Sequence, residues 1–216
     1  MAAQKARLPK FTTPKGIAKY PWLSKPDTQF NPTGVYKVSL LIPKANAREL
    51  IDKLDTAAGE ALTEARANAK SPAIAKQITL APCYHIETDD EGEETGNIEF
   101  RFKQNALVKF QDGTTKEMKP FIFDAQGKQM QVCPNVYGGS VLRINFSPVG
   151  YYNASSKSAG VSLRMNAVQI MELVTGGGSA AGFGFATEED GFDSTGFSAP
   201  AETPVAETPE ASSTDY

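Results

Sequence analysis

Alternation of apolar and polar residues with a period of two runs through most of this chain and restricts its fold to one built mainly from strands. In VYKVSLLIP, Val35–Pro43, Val35, Lys37, Ser39 and Leu41 share one side, and Tyr36, Val38, Leu40 and Ile42 share the other. Successive side chains of a strand point to opposite faces, so this pattern describes a strand with one face in a core. Residues 97–102 (NIEFRF) and 106–110 (ALVKF) read the same way. Residues 121–124 and 128–132 flank an Ala-Gln-Gly turn and predict a hairpin. Residues 141–148 and 161–173 complete the set. In the last, Val161, Leu163, Met165 and Ala167 share a face, but Val168 and Ile170 fall on the other. Its second half is therefore expected to be buried on both sides.

One segment has a different period. Between residues 45 and 70, Leu50, Ile51, Leu54, Ala58, Ala61, Leu62 and Ala65 recur at three- and four-residue steps, which predicts an amphipathic helix over about 46–70. Asn46 is the expected N-cap, with Glu49 three residues on, and Pro72 ends the run. Short strands, long connections and a single flanking helix favour a small Greek-key barrel over a sandwich.

After VQIMELV the composition changes. From Gly176 onward Gly, Ser, Thr, Pro and Glu dominate, and the triple glycine 176–178 reads as a hinge. Such a segment buries too little surface to offset its ordering entropy, so residues 176–216 are expected to form a disordered tail on a domain of residues 1–175. The net charge of −3 hides a split across this boundary. The tail holds eight acids and no Lys or Arg; residues 1–175 hold 22 basic groups against 17 acidic ones, a net of +5. A cationic body joined to an anionic extension points to a polyanionic ligand.

Catalytic and metal-binding chemistry finds little support. His85 is the only histidine and has no nucleophile beside it in sequence. Cys83, His85 and Cys133 lack a fourth ligand at a spacing suited to zinc. The two cysteines read as buried free thiols of a reducing compartment. The acidic run Asp89, Asp90, Glu91, Glu93, Glu94 lacks the ligand order of a calcium loop and reads as a solvated hairpin tip. GGGSAAGFG is not a phosphate loop, since neither GKS nor GKT follows it. No cofactor, metal or enzymatic activity is expected. Nor is a signal peptide or a membrane span, because no apolar run approaches the roughly 18 residues needed.

What the strands do offer is alternation of charge with core residues. Arg101 and Lys103 share the face of EFRFK opposite Phe100 and Phe102, and Lys109 extends the line if a bulge near Gln104 and Asn105 shifts the phase. Lys37, Arg143 and Arg164 stand between apolar neighbours on other strands. Tyr151 and Tyr152 lie in a polar stretch that includes Lys157, and Trp22 lies with Tyr20 and Phe30 in an extended, Pro-rich N-terminal arm. Cations for phosphates and rings on which bases stack are the two requirements of single-strand recognition, and neither reads sequence. An RNA-binding barrel fits the same residues, as does a structural β-barrel component of a virion. The structural reading leaves the charge split unexplained.

These segments, in this order, resemble a known family. KYPWLSKPDTQFNPTGVYKVSLLIP (19–43), FRFKQNALVKFQDGTTKEMK (100–119), the hairpin FDAQGK (123–128), Gly138-Gly139, GVSLRMNAVQIMEL (160–173) and the triple glycine are similar to the single-stranded DNA-binding proteins of T-odd coliphages. The resemblance implies an OB-fold five-stranded Greek-key barrel with a flanking α-helix and an acidic tail. It implies DNA contacts at Arg101 and Lys103 and stacking at Tyr151 and Tyr152, with Asn105 where the family can have an aromatic residue. It also implies that the tail, through Glu188, Glu189, Asp190, Asp193, Asp215 and Tyr216, competes with DNA and contacts a phage or host polymerase, helicase or nuclease. A homodimer and action in the cytoplasm of an infected bacterium are implied as well. Strand annealing in recombination is the alternative role for the same surface.

Overall fold

The computed structural model describes residues 8–110 and 112–174; the acidic tail lies outside them. The chain begins with β1 (Phe11–Thr12), β2 (Gly16–Asp27) and β3 (Val35–Pro43), followed by α1 (Lys44–Ala67) and the short α2 (Pro72–Gln77). Next come β4 (Thr79–Leu80), β5 (His85–Thr88), β6 (Glu94–Asn105), β7 (Leu107–Lys109) and β8 (Thr115–Glu117). β9 (Phe121–Phe123), β10 (Gln129–Met130), β11 (Val141–Asn153) and β12 (Ser158–Glu172) complete the order.

Five of these strands close on one another in the order β2-β3-β6-β12-β11 and back to β2. Neighbours are antiparallel except β6 and β12, which run parallel with Leu163 opposite Phe102 and Arg164 opposite Lys103. This is the small Greek-key barrel of the OB type, mainly β with one long flanking helix. β2 approaches β3 closely at Gly16, which also pairs with Leu142 of β11. A Cβ there would stand 2.6 Å from Leu40 Cγ and 2.7 Å from the Leu41 carbonyl oxygen, so any side chain would open the joint.

The inward faces fill the barrel. Val38, Leu40 and Ile42 meet Ile98, Phe100 and Phe102 from β6, Leu142, Ile144 and Phe146 from β11, and Leu163 and Met165 from β12. Phe102 meets Phe146 edge to face at 5.1 Å between ring centres. α1 covers one end, with Ala47, Leu50, Leu54 and Ala58 buried against the core. The helix starts two residues earlier than the sequence suggests. Pro43, φ −52° and ψ 134°, takes the N-cap position without a side-chain cap, and Asn46 lies in the first turn. Proline offers no side-chain acceptor to the first-turn amides, so the expected capping box is absent.

Two other expectations are corrected. The extended arm around Tyr20 and Trp22 is β2, the strand that closes the barrel. The second half of β12 is not buried on both sides. Met165 and Val168 are buried while Asn166 and Ala167 between them are half-buried. A register shift between Asn145 and Phe146 of β11 moves the inward phase by one residue. Asn166 Nδ2 donates to Asn145 Oδ1 and to Ser147 Oγ, both at 3.2 Å, so the irregularity is hydrogen-bonded. The expected hairpins are present. β9 pairs with β10, and the acidic tip at 89–93 is held by Asp89 Oδ1, which accepts from the Glu91 and Glu93 amides.

Candidate nucleic-acid interface

Lys37 of β3 and Arg101 and Lys103 of β6 face outward because the residues alternating with them fill the core. Register then brings one residue from each of four strands into a single row. Trp22 of β2 is opposite Lys37 of β3, Lys37 is opposite Lys103 of β6, and Lys103 is opposite Arg164 of β12. At 4.7–4.9 Å per strand the row spans roughly 14 Å. A second row places Lys19, Ser39 and Arg101 side by side.

The rows line a groove of about 460 Å³ bounded by Tyr20, Trp22, Lys37, Ser39, Arg101 and Lys103. A second pocket, of about 380 Å³, shares Lys103 and continues past Arg164 to Tyr151. Lys103 therefore joins the two into one trough. Tyr151 also borders a smaller pocket of about 190 Å³ that includes Tyr152 and Ala61 of α1.

Carboxylates hold three of the cations in place. Lys37 pairs with Asp27, which is 7% exposed and also accepts from the Gln29 amide at 2.9 Å. The Lys37 bond first, and the Gln29 amide second, keep the Asp27 carboxyl below its ordinary range. Arg101 donates from Nε and an Nη to both oxygens of Glu99, at 3.1 and 3.0 Å. That fork holds Glu99 low and Arg101 high. Lys19 reaches Glu87 at 3.2 Å, and its ammonium lies 5.8 Å from the centre of the Tyr20 ring. Lys103 and Arg164 have no carboxylate within 4.0 Å among the described residues.

The structure thus brings together Trp22, Lys37, Arg101, Lys103, Arg164 and Tyr151, with Tyr152 alongside. It sets three other candidates apart. Arg143 turns its Nε to the Thr13 carbonyl oxygen at 3.3 Å, on the side of β11 next to β1. Lys109 sits in β7, which leaves the barrel and pairs only with β8; Val108 and Phe110 face the second pocket, so Lys109 faces the other way. Lys157, at φ 49° in the turn between β11 and β12, bonds to Gln77 Oε1. Glu188, Glu189, Asp190, Asp193, Asp215 and Tyr216 lie outside the described residues.

Two rings gain prominence that the sequence did not give them. Tyr20 is 70% exposed in the groove, lifted by a left-handed backbone at φ 51° where β2 bulges. Phe110, 48% exposed, lines the second pocket together with Tyr151. No group of three metal-ligating side chains occurs among the described residues. Cys83 and Cys133 are unpaired, and burial pushes each thiol up to about 11. No described helix is long and apolar enough to cross a membrane.

A closed five-stranded barrel with cations between exposed rings on its second and third strands defines a class, the oligonucleotide- and oligosaccharide-binding barrels. Residues 15–173 match the family described as single-stranded DNA-binding protein, bacteriophage T7, and the chain belongs to that family. It is 33% identical over 202 residues to the single-stranded DNA-binding protein of Escherichia phage T7, a match covering 86% of this chain and 85% of that one. The protein of the same name from Enterobacteria phage T3 is 32% identical over 184 residues, 78% of each chain. The crystal structure of gp2.5, the phage T7 single-stranded DNA-binding protein, superposes with a TM-score of 0.68 at 29% identity, covering 87% of this chain and 99% of that one. The C-terminally truncated single-stranded DNA-binding protein of bacteriophage Enc34 shares the fold at 13% identity, with a TM-score of 0.51 over 77% of this chain and 87% of that one.

Proposed function

We propose that this protein binds single-stranded DNA in phage replication, covering exposed strands with little regard to sequence and without enzymatic activity. The observation behind this reading is the row Trp22–Lys37–Lys103–Arg164, which sets one ring and three cations across four adjacent strands. Phosphates meet Lys37, Arg101, Lys103 and Arg164, while bases stack on Trp22, Tyr20 and Tyr151. Each stacked base contributes about 1–3 kcal/mol whatever its identity. Family membership supports the same reading, since the phage T7 and T3 relatives are named for this activity.

The tail is the second part of the proposal. Its acids and Tyr216 would engage a polymerase, helicase or nuclease at the fork, in the cytoplasm of the infected bacterium. Gel-shift titration against single-stranded DNA, duplex DNA and RNA tests the first part. Single-stranded DNA should bind most tightly, and Lys103→Ala with Arg164→Ala should reduce the slope of log affinity against log salt by about 1.4, two phosphates' worth. Equal affinity for duplex and single strands, or an unchanged slope, would overturn it.

A further inference from the structure

Lys19 and Tyr20 are consecutive on β2, and on a regular strand they would point to opposite faces. The strand is not regular there. Between the pairs Lys19–Ser39 and Trp22–Lys37, β2 places Tyr20 and Pro21 against Val38 alone. This is a bulge of one extra residue, and Tyr20 carries its left-handed backbone at φ 51°. The Tyr20 ring lines the groove and is 70% exposed, so packing does little to hold it in one orientation. The Lys19 ammonium stands over the ring, 5.8 Å from its centre.

Lys19 is held in turn by Glu87. β5 pairs with β6, and β3 separates β6 from β2, so the 3.2 Å contact between Lys19 Nζ and Glu87 Oε1 spans two intervening strands. Glu87 sits at the register irregularity of β5, between Ile86 and Thr88, with its side chain 13% exposed. Its Oε2 accepts from Thr95 Oγ1 at 2.7 Å and from Asn97 Nδ2 at 3.1 Å, both on β6. One oxygen is thus fixed by β6, and the other is left to the ammonium. Burial pushes the Glu87 carboxyl up, but the bonds from Thr95, Asn97 and Lys19 outweigh it and keep the carboxyl below its ordinary range. Neither Glu87 nor Lys19 is part of the groove's own lining.

We infer that Glu87 is a positioning residue for single-strand binding: through Lys19 it holds the Tyr20 ring in the groove in an orientation ready for a base. The inference rests on the single-strand-binding reading above and adds to it a residue that the DNA itself does not touch. An exposed ring free to turn has to be ordered when a base stacks on it, and a ring held beforehand does not bear that cost. An exposed cation–π contact corresponds to about a two- to fivefold effect on affinity. The sign of the effect separates this role from charge. Removing a carboxylate beside a DNA-binding groove tightens binding by electrostatics alone.

The test is a set of titrations of the full chain with a short oligothymidylate. Glu87→Gln keeps an acceptor oxygen and removes the charge that fixes Lys19, and it should weaken binding about two- to fivefold. In a Tyr20→Phe background, whose ring still faces the ammonium, the loss should persist. In a Tyr20→Ala background it should vanish, and such a cycle isolates the coupling between the two residues. Tighter binding on Glu87→Gln in the parent would show that Glu87 acts only through its charge. An equal loss in the Tyr20→Ala background would show a defect of folding and not of the ring. Either result, or no change in the parent, overturns the inference while the single-strand reading stands. Failure of the parent chain to bind oligothymidylate overturns both.

Discussion

Asp27 opposes the very charge the groove needs. Its carboxylate pairs with Lys37 inside the groove, so a phosphate arriving there meets a cation already neutralised. Lys103 and Arg164, with no carboxylate partner among the described residues, do not have this handicap. Asp27→Asn should therefore tighten single-strand binding at low salt and steepen the salt slope by about 0.7, one further phosphate. Weaker binding with an unchanged slope would show that Asp27 matters only for holding Lys37 in position. The pair also predicts a pH effect. Because the folded Asp27 carboxyl is lowered, its contribution to stability is full above the ordinary aspartate range near 4 and is lost as pH falls through the lowered value. Melting temperatures of the parent and Asp27→Asn should differ at neutral pH and converge as pH falls through the lowered value. At this scale the sequence was legible where strand alternation alone decides direction. Lys37, Arg101, Lys103 and Arg164 face outward because Val38, Phe100, Phe102, Leu163 and Met165 must face inward. Tyr20, Phe110 and Arg143 were not legible in that way. Their directions depend on a bulge, on a hairpin that leaves the barrel, and on a carbonyl more than a hundred residues away.

Elements separate into those whose period survives folding and those whose period is broken by it. β3 and α1 keep theirs, and the sequence located both, β3 to the residue and α1 to within two or three. β2 escaped because Pro21 and Pro26 lie within it and its register shifts twice, around Trp22, where the left-handed Tyr20 adds a residue. Proline in a strand ordinarily argues against one, and a bulge is the exception that admits it. β12 kept its place but changed phase at Asn166, which a pattern of two cannot express. α1 supplies the clearest test of element against site. Leu54 is fully buried where the helix covers the barrel end, away from the cationic row. Leu54→Ala should cost about 2–5 kcal/mol in urea denaturation, through lost transfer energy and the cavity left behind. The salt slope of DNA binding in the surviving folded protein should not change. A cost below about 1 kcal/mol would mean that the helix contributes little to closing the barrel.

Charge organises the molecule as a whole more than shape does. The first 175 residues carry a net +5, and residues 176–216 carry eight acids without a single Lys or Arg. A linked anionic segment competes for a cationic trough at an effective concentration of about millimolar when its tether is short and flexible. If the acidic segment enters the trough, free DNA at micromolar concentration has to displace it, and salt weakens both interactions together. Removing residues 176–216 should therefore tighten single-strand binding most at low ionic strength, with the advantage shrinking as salt rises and the Debye length falls to about 8 Å near physiological strength. The measurement is a pair of titrations, full chain and truncated chain, across a salt series. If the truncated protein bound more weakly at low salt, the acidic segment would be aiding DNA binding rather than competing with it, and the competition would be refuted. If the two curves ran parallel at every salt concentration, the body and the acidic segment would be electrostatically independent, and the opposition of charge in the sequence would have no bearing on DNA affinity.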